Sequence, residues 1–208
     1  MEFAASTLGP EAMYKLLTGI VVPRPIAWVT TLSPGGGVNL APFSAFTFVS
    51  TRPPMVGINV GRKAGVMKDT GNNIHATGEF VVNIPDETMI EPVHLSAVEH
   101  PPEVSEAELL GLGVAASTNI RTPRLAQVPI SMECRLHRAI AFGDTGSEFM
   151  VGEIIAFHIR DGLCVNGKID TAKLRPICRI GGPNYALLGE IITMRPIAQT
   201  AKTVVAAG

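Results

Sequence analysis

The run Asn39-Leu40-Ala41-Pro42-Phe43-Ser44 sets a side-chain amide, a proline and a hydroxyl close together. It follows Pro25-Ile26-Ala27-Trp28-Val29-Thr30-Thr31 across the glycine turn Gly35-Gly36-Gly37. Strand, glycine turn and return strand predict a β-hairpin, and Pro42 has no N–H to give to a sheet ladder. Free backbone amides are therefore predicted from Ala41 to Ser44. Flanked by the hydroxyls of Thr30, Thr31 and Ser44 and by the amide of Asn39, such a segment suits a planar heteroaromatic ligand with a polar rim or an anionic tail. The same residues also describe a plain edge strand ending in a proline turn, with its polar groups satisfied by local backbone.

A second segment, Arg62-Lys63-Ala64-Gly65-Val66-Met67-Lys68-Asp69-Thr70, lies where a strand gives way to a helix. A helix start offers unpaired N–H groups and the positive end of a dipole; Lys68 adds a cation and Thr70 a hydroxyl, which together suit a phosphate. The alternative is an ordinary helix start with Asp69 in its first turn. Taken together, the two segments match what a flavin mononucleotide (FMN) needs: donors for a dianion, and a flat apolar slot with amides at the rim of the ring.

Other chemistries find less support. His94, Glu99, His100 and Glu103 fall close together but in a stretch ending in Pro101-Pro102, without helical i, i+4 ligand spacing, so they read as a solvated loop and not a metal site. Trp28 reads as a core or interface residue, and His137 and His158 as satisfied polar positions on strands. No Ser-His-Asp or Cys-His pattern stands out, no metal ligands are assigned, and no catalytic side chain is assigned. Hydride transfer to a flavin needs stacking geometry more than a side-chain acid or base.

The elements that must hold these segments are mostly strands. Besides the opening hairpin, strands are predicted at 55–60, 79–84, 130–136 and 148–158, the last two joined by the turn Phe142-Gly143-Asp144-Thr145-Gly146. Helices are predicted at 11–18, ended by Gly19, and at 65–77, ended by Gly78, with shorter ones at 86–98 and 105–110. This is not the regular alternation of a doubly wound sheet, so a mainly β barrel with peripheral short helices is favoured. At 208 residues without repeats or an obvious linker, one domain is the simplest account.

Composition narrows the partners. A formal net charge of -1 argues against nucleic acid. No apolar run approaches the roughly 18 residues of a membrane span, and the acidic start is unlike a signal peptide, so no membrane partner and a cytoplasmic location are expected. Cys134, Cys164 and Cys178 match no zinc or redox spacing and read as reduced thiols. Hydrophobic residues make up 46% of the chain but aromatic ones 5%, which leaves room for an exposed apolar face covered in a homo-oligomer.

Five segments in register carry a resemblance: Pro23 to Thr31, Asn39 to Ser44, Lys68-Asp69-Thr70, Gly78 to Asn83 and Arg179-Ile180-Gly181-Gly182-Pro183-Asn184-Tyr185. Over about 14–185, with 186–208 as a C-terminal extension, the chain resembles the flavin reductase-like family of FMN-binding split β-barrels. The resemblance implies a six-stranded antiparallel Greek-key barrel and a homodimer with FMN near the subunit interface. It also implies that Thr30, Thr31, Asn39, Leu40, Ala41, Pro42 and Ser44 line the flavin and that Lys68 and Thr70 lie near its phosphate. Asn59, Asp69 and Tyr185 are further implied contacts. The implied activity is NAD(P)H:flavin oxidoreduction, with NADH or NADPH as transient co-substrate and electrons passed to free flavin, a flavin-dependent monooxygenase or another redox protein. Alternatives on the same barrel are a non-catalytic, flavoredoxin-like FMN electron carrier and, with a poorer match, a pyridoxamine phosphate oxidase. Gly71-Asn72-Asn73 departs from the helix-favouring residues common after Lys68-Asp69-Thr70: Gly71 weakens the helix by up to ~1 kcal/mol, and the two asparagines read as solvated.

Overall fold

The computed structural model describes residues 1–197. Its main sheet is built from β1 (Ala27–Leu32), β2 (Val38–Phe43), β3 (Phe46–Thr51), β4 (Pro54–Val60), β5 (Glu79–Ile84), β6 (Ile130–Phe142) and β7 (Ser147–Ile159). These run in the order β2-β1-β5-β6-β7-β4-β3, with every neighbouring pair antiparallel. The two edge strands, β2 and β3, are joined directly through Ser44 and Ala45, and the Asn59 N–H donates to the Ala45 carbonyl at 2.9 Å. The edges therefore meet at one seam, and the sheet curls into a barrel.

The sheet holds seven strands where six were expected. The additional strand is β3, which escapes a search for apolar alternation because most of its residues are exposed. The β1/β2 hairpin forms as expected, with Ser33 N–H bonded to the Gly37 carbonyl at 2.8 Å. Pro42 does not end β2 as foreseen. It sits within the strand opposite Trp28, on a sheet edge where a missing outward N–H breaks no ladder bond.

Alternation along β1 divides the core. Ala27 and Val29 face the barrel interior with Phe43, Ile58, Val60, Phe80, Val82, Cys134 and Met150. Ile26 and Trp28 face outward and are covered by a second cluster that includes Leu40, Met89, Val93, Leu125 and Ile177. Trp28 is fully buried, and its indole N–H donates to Ser96 Oγ at 2.8 Å. Gly57 and Gly152 accept aromatic rings laid across the strands. A Cβ at either would stand 2.1 Å from Phe149 Cζ or 2.3 Å from Phe80 Cζ, respectively.

Short helices decorate the barrel: α1 (Pro10–Ile20), α2 (Asp69–Thr77), α3 (Ile90–Leu95), α4 (Glu106–Leu109) and α5 (Thr171–Leu174). Helix α1 passes through Gly19, which was expected to end it. Helix α2 begins at Asp69 and not at Gly65, because Ala64 and Gly65 both take positive φ and turn residues 62–67 into a two-strand ribbon. Gly78 ends it in the left-handed conformation, as expected. Beyond Tyr185–Ala186 the described part of the C-terminal extension carries no further helix or strand, and residues 198–208 lie outside the described residues. No described helix is long and apolar enough to cross a membrane. Cys134, Cys164 and Cys178 are free thiols.

Candidate functional site

Helix α2 is set on the barrel by packing and by amides. Ile74 enters the interior core, and a Cβ on Gly71 would lie 2.6 Å from Met67 Sδ and 3.3 Å from Val60 Cγ1. Gly71, a weak helix former, is therefore the residue that lets the helix start rest on Met67. Asn73 is buried and donates through Nδ2 to Thr31 Oγ1 at 3.1 Å, while Asn72 is exposed. The solvated reading thus holds for Asn72 and fails for Asn73, which ties the helix to β1.

The same network reaches β2. Asn39, opposite Thr31, donates through Nδ2 to Thr70 Oγ1 at 3.0 Å and to Thr31 Oγ1 at 3.3 Å. Three predicted residues, Thr31, Asn39 and Thr70, thus meet at one point. Thr30 turns to the other face of β1, where its hydroxyl donates to the Pro123 carbonyl at 2.6 Å and accepts from Asn83 Nδ2 at 3.3 Å.

A groove of about 450 Å³ opens beside this network. Asn39, Ala41 and Pro42 of β2 form one side, and Ala64, Val66, Met67, Lys68, Asp69 and Thr70 form another. The third side is the segment Ser96, Ala97, Val98, Glu99, His100 and Pro102, with Glu106 behind it. Sequence reasoning set Glu99 and His100 aside as a solvated loop and missed Glu106. That segment is tied to β1 by the Trp28–Ser96 bond, and Glu106 behind it is tied to β2, its Oε2 accepting the Leu40 N–H at 2.9 Å. No local signal marks a contact made 66 residues away. Leu40 itself is buried, and its amide is taken by Glu106.

The groove is electrically two-sided. Helix α2 has no side-chain cap at its N-terminus, so the positive end of its dipole is left beside Lys68, whose ammonium lies 5.8 Å from the Phe43 ring centroid. On the same first turn, the Asp69 carboxyl is pushed above its ordinary value by burial and then by the charges of Glu103 and Glu99, the latter on the facing segment.

Ser44 and Tyr185 line a smaller hollow of about 180 Å³, whose walls share Pro42 and Ala97 with the groove. Asn59 lines neither; it is exposed on β4, and its backbone serves the barrel seam. His158 is satisfied, with Nε2 2.6 Å from Glu133 Oε1, whereas His137 is exposed. Burial drives the Glu133 carboxyl upward, but the amides of Thr118 and Asn119 and the ring of His158 overcome this and hold it below its ordinary value.

The fold has clear counterparts. The flavin reductase like domain family matches residues 19–171, and the chain belongs to that family, with its split-barrel fold. An uncharacterized protein of Halalkalibacterium halodurans is 41% identical over 93% of this chain and 95% of its own. The crystal structure of nitrilotriacetate monooxygenase component B from Bacillus cereus is 38% identical, with a TM-score of 0.91 over 93% of this chain and 98% of that one. The 2-nitrobenzoate 2-nitroreductase NbaA of Pseudomonas fluorescens is 36% identical, with a TM-score of 0.81 over 97% of this chain and 100% of that one.

Proposed function

We propose that the protein is an FMN-dependent NAD(P)H:flavin oxidoreductase that hands electrons to free flavin or to a partner such as a flavin-dependent monooxygenase. The observation that carries this is the joining of an uncapped helix start, bearing Lys68 and Thr70, to an apolar strip of Ala41, Pro42, Val66 and Met67 in one groove. The groove volume of about 450 Å³ falls in the range of small-molecule sites. A phosphorylated flavin fits with its anion at the start of α2, beside Lys68 and Thr70, and its ring along the strip.

When bound, the flavin supplies hydride and electron transfer, and the chain supplies position. Asn39 is fixed by Thr31 and Thr70 and presents its remaining amide atoms at the groove. Ala41 and Pro42 offer a flat edge without competing N–H groups at Pro42. The 96–102 segment, anchored by Trp28, screens one side from water.

We assign the apolar face of Phe46, Phe48, Met55 and Phe157 to a second copy of the chain, since Phe48 and Phe157 are 74% and 55% exposed. The family relation to a monooxygenase component and to a nitroreductase supports electron transfer to a diffusible acceptor or enzyme over the carrier reading. The test is a visible absorption titration of purified protein with FMN, FAD and riboflavin, followed by anaerobic NADH or NADPH. FMN should bind most tightly and bleach on addition of a dinucleotide; tighter binding of riboflavin would refute the assignment of the phosphate to α2.

A further inference from the structure

Three short strands bring distant residues around the smaller hollow. Arg24–Pro25 pairs with Cys178–Arg179, which pairs in turn with Tyr185–Ala186. Arg24 is largely spent on structure: Nη1 donates to the carbonyls of Thr18 and Val21, Nη2 to that of Ile180, and Nε to Ser44 Oγ. Arg179 is held but not consumed. Its Nε donates to the Gly182 carbonyl at 3.1 Å, its Nη1 to the Tyr185 hydroxyl, and its guanidinium lies 4.5 Å from the Tyr185 ring centroid. Of an arginine's five N–H donors, the remaining three are available. Among the described residues neither guanidinium is within ion-pair distance of a carboxylate, whereas Arg62, Arg121, Arg160 and Arg175 all are. Two half-buried cations without an anion thus flank a hollow that also exposes the Ser44 and Tyr185 hydroxyls.

We propose that this hollow is an oxyanion subsite for the second substrate, with Arg179 as the principal ligand and the Tyr185 hydroxyl beside it. The inference rests on the flavin reading, because the hollow adjoins the groove assigned to the ring through Pro42 and Ala97. At about 180 Å³ it takes a phosphate or carboxylate but not a flavin ring. The planar guanidinium, stacked on Tyr185, is pre-organised for two-pronged oxyanion binding. The oxyanion is either a phosphate of the nicotinamide dinucleotide or the carboxylate of an aromatic electron acceptor.

Flavin-free protein is titrated calorimetrically with inorganic pyrophosphate and with benzoate, in the wild type and in Arg179→Gln, Arg179→Lys and Tyr185→Phe. Saturable binding is expected in the wild type, weakened about tenfold or more by Arg179→Gln, partly restored in Arg179→Lys, and weakened less by Tyr185→Phe, which keeps the ring stack. Preference for pyrophosphate points to the dinucleotide and preference for benzoate to the acceptor. With FMN bound, Arg179→Gln should leave flavin affinity unchanged. If the dinucleotide is the source, it should raise KM for NADH or NADPH but not for 1-benzyl-1,4-dihydronicotinamide, which bears no phosphate. If the acceptor is the source, KM should rise for a nitrobenzoate and not for nitrobenzene. Anion binding that is absent from the wild type, or equal in wild type and Arg179→Gln, overturns the subsite. A parallel loss of FMN affinity in Arg179→Gln also overturns it, by giving the hollow to the flavin phosphate. Failure of the wild type to bind FMN at all would refute the proposed function and leave the anion titration as an independent result.

Discussion

Replacing Lys68 by Met removes a cation that lines the groove at the start of α2 and leaves the helix amides and the Thr70 hydroxyl in place. Lys68 is exposed, and its recorded contact is the Phe43 ring at 5.8 Å, so the loss to folding should stay within about 0.5 kcal/mol. Its loss to binding is larger if it meets a phosphate. A hydrogen bond to a charged partner contributes about 1.5 to 3 kcal/mol, and each 1.4 kcal/mol is tenfold, so the FMN Kd should rise about 10- to 150-fold. Riboflavin has the same ring and no phosphate, and its Kd should hardly move. Fluorescence titration of both flavins against wild type and Lys68→Met reads the difference directly, with a thermal melt confirming that the fold is retained. Equal weakening of the two flavins would refute the reasoning, because it would place Lys68 against the ring or in the packing of the groove.

Three further outcomes follow from other parts of the molecule. Because the folded Glu133 carboxyl lies below its ordinary value, its contribution is complete above the unfolded value and is lost as pH falls through the folded one; Glu133→Gln should cost about 2 kcal/mol near neutrality and progressively less in acid, as read by urea melts across pH. Glu106→Ala strands the buried Leu40 amide at a cost of about 1 to 3 kcal/mol, and the same variant should weaken FMN by loosening β2; a melt unchanged from wild type would show that water replaces the carboxylate. Phe48→Asp should convert a dimer near 44 kDa, twice the 22.0 kDa chain, to monomer in sedimentation at low micromolar concentration, and a wild-type monomer would overturn the interface assignment.

Much of the fold is legible because its physics is local. Strands β6 and β7 alternate, the turn after Phe142 is rich in glycine, and Gly78 supplies the left-handed cap that ends α2. Strand β3 is not legible, since its exposed Phe48 and Val49 break the inward-outward pattern that marks a half-buried strand. The start of α2 is hidden for a different reason: helical spacing from Val66 is overridden by the positive φ of Ala64 and Gly65. In the site, Asn39, Ala41, Pro42, Lys68, Asp69 and Thr70 are brought to one groove, as their adjacent positions at a hairpin arm and helix start foretell. The outer wall is not readable, because Ser96 and Glu106 find their partners, Trp28 and Leu40, across the fold. Thr30 shows the limit of reading neighbours as a unit. Strand period two sends it to the face opposite Thr31.

Direct hydride transfer from a reduced nicotinamide to bound flavin is the central claim, and anaerobic stopped-flow reduction with NADH and NADPH, protio and deuterated at C4, tests it most directly. The flavin absorbance should bleach in a single saturable phase that slows with the deuterated dinucleotide and is unaffected by replacing the exposed His137 with Gln. Flavin that bleaches with dithionite but with neither dinucleotide would contradict the account and leave an electron carrier in its place.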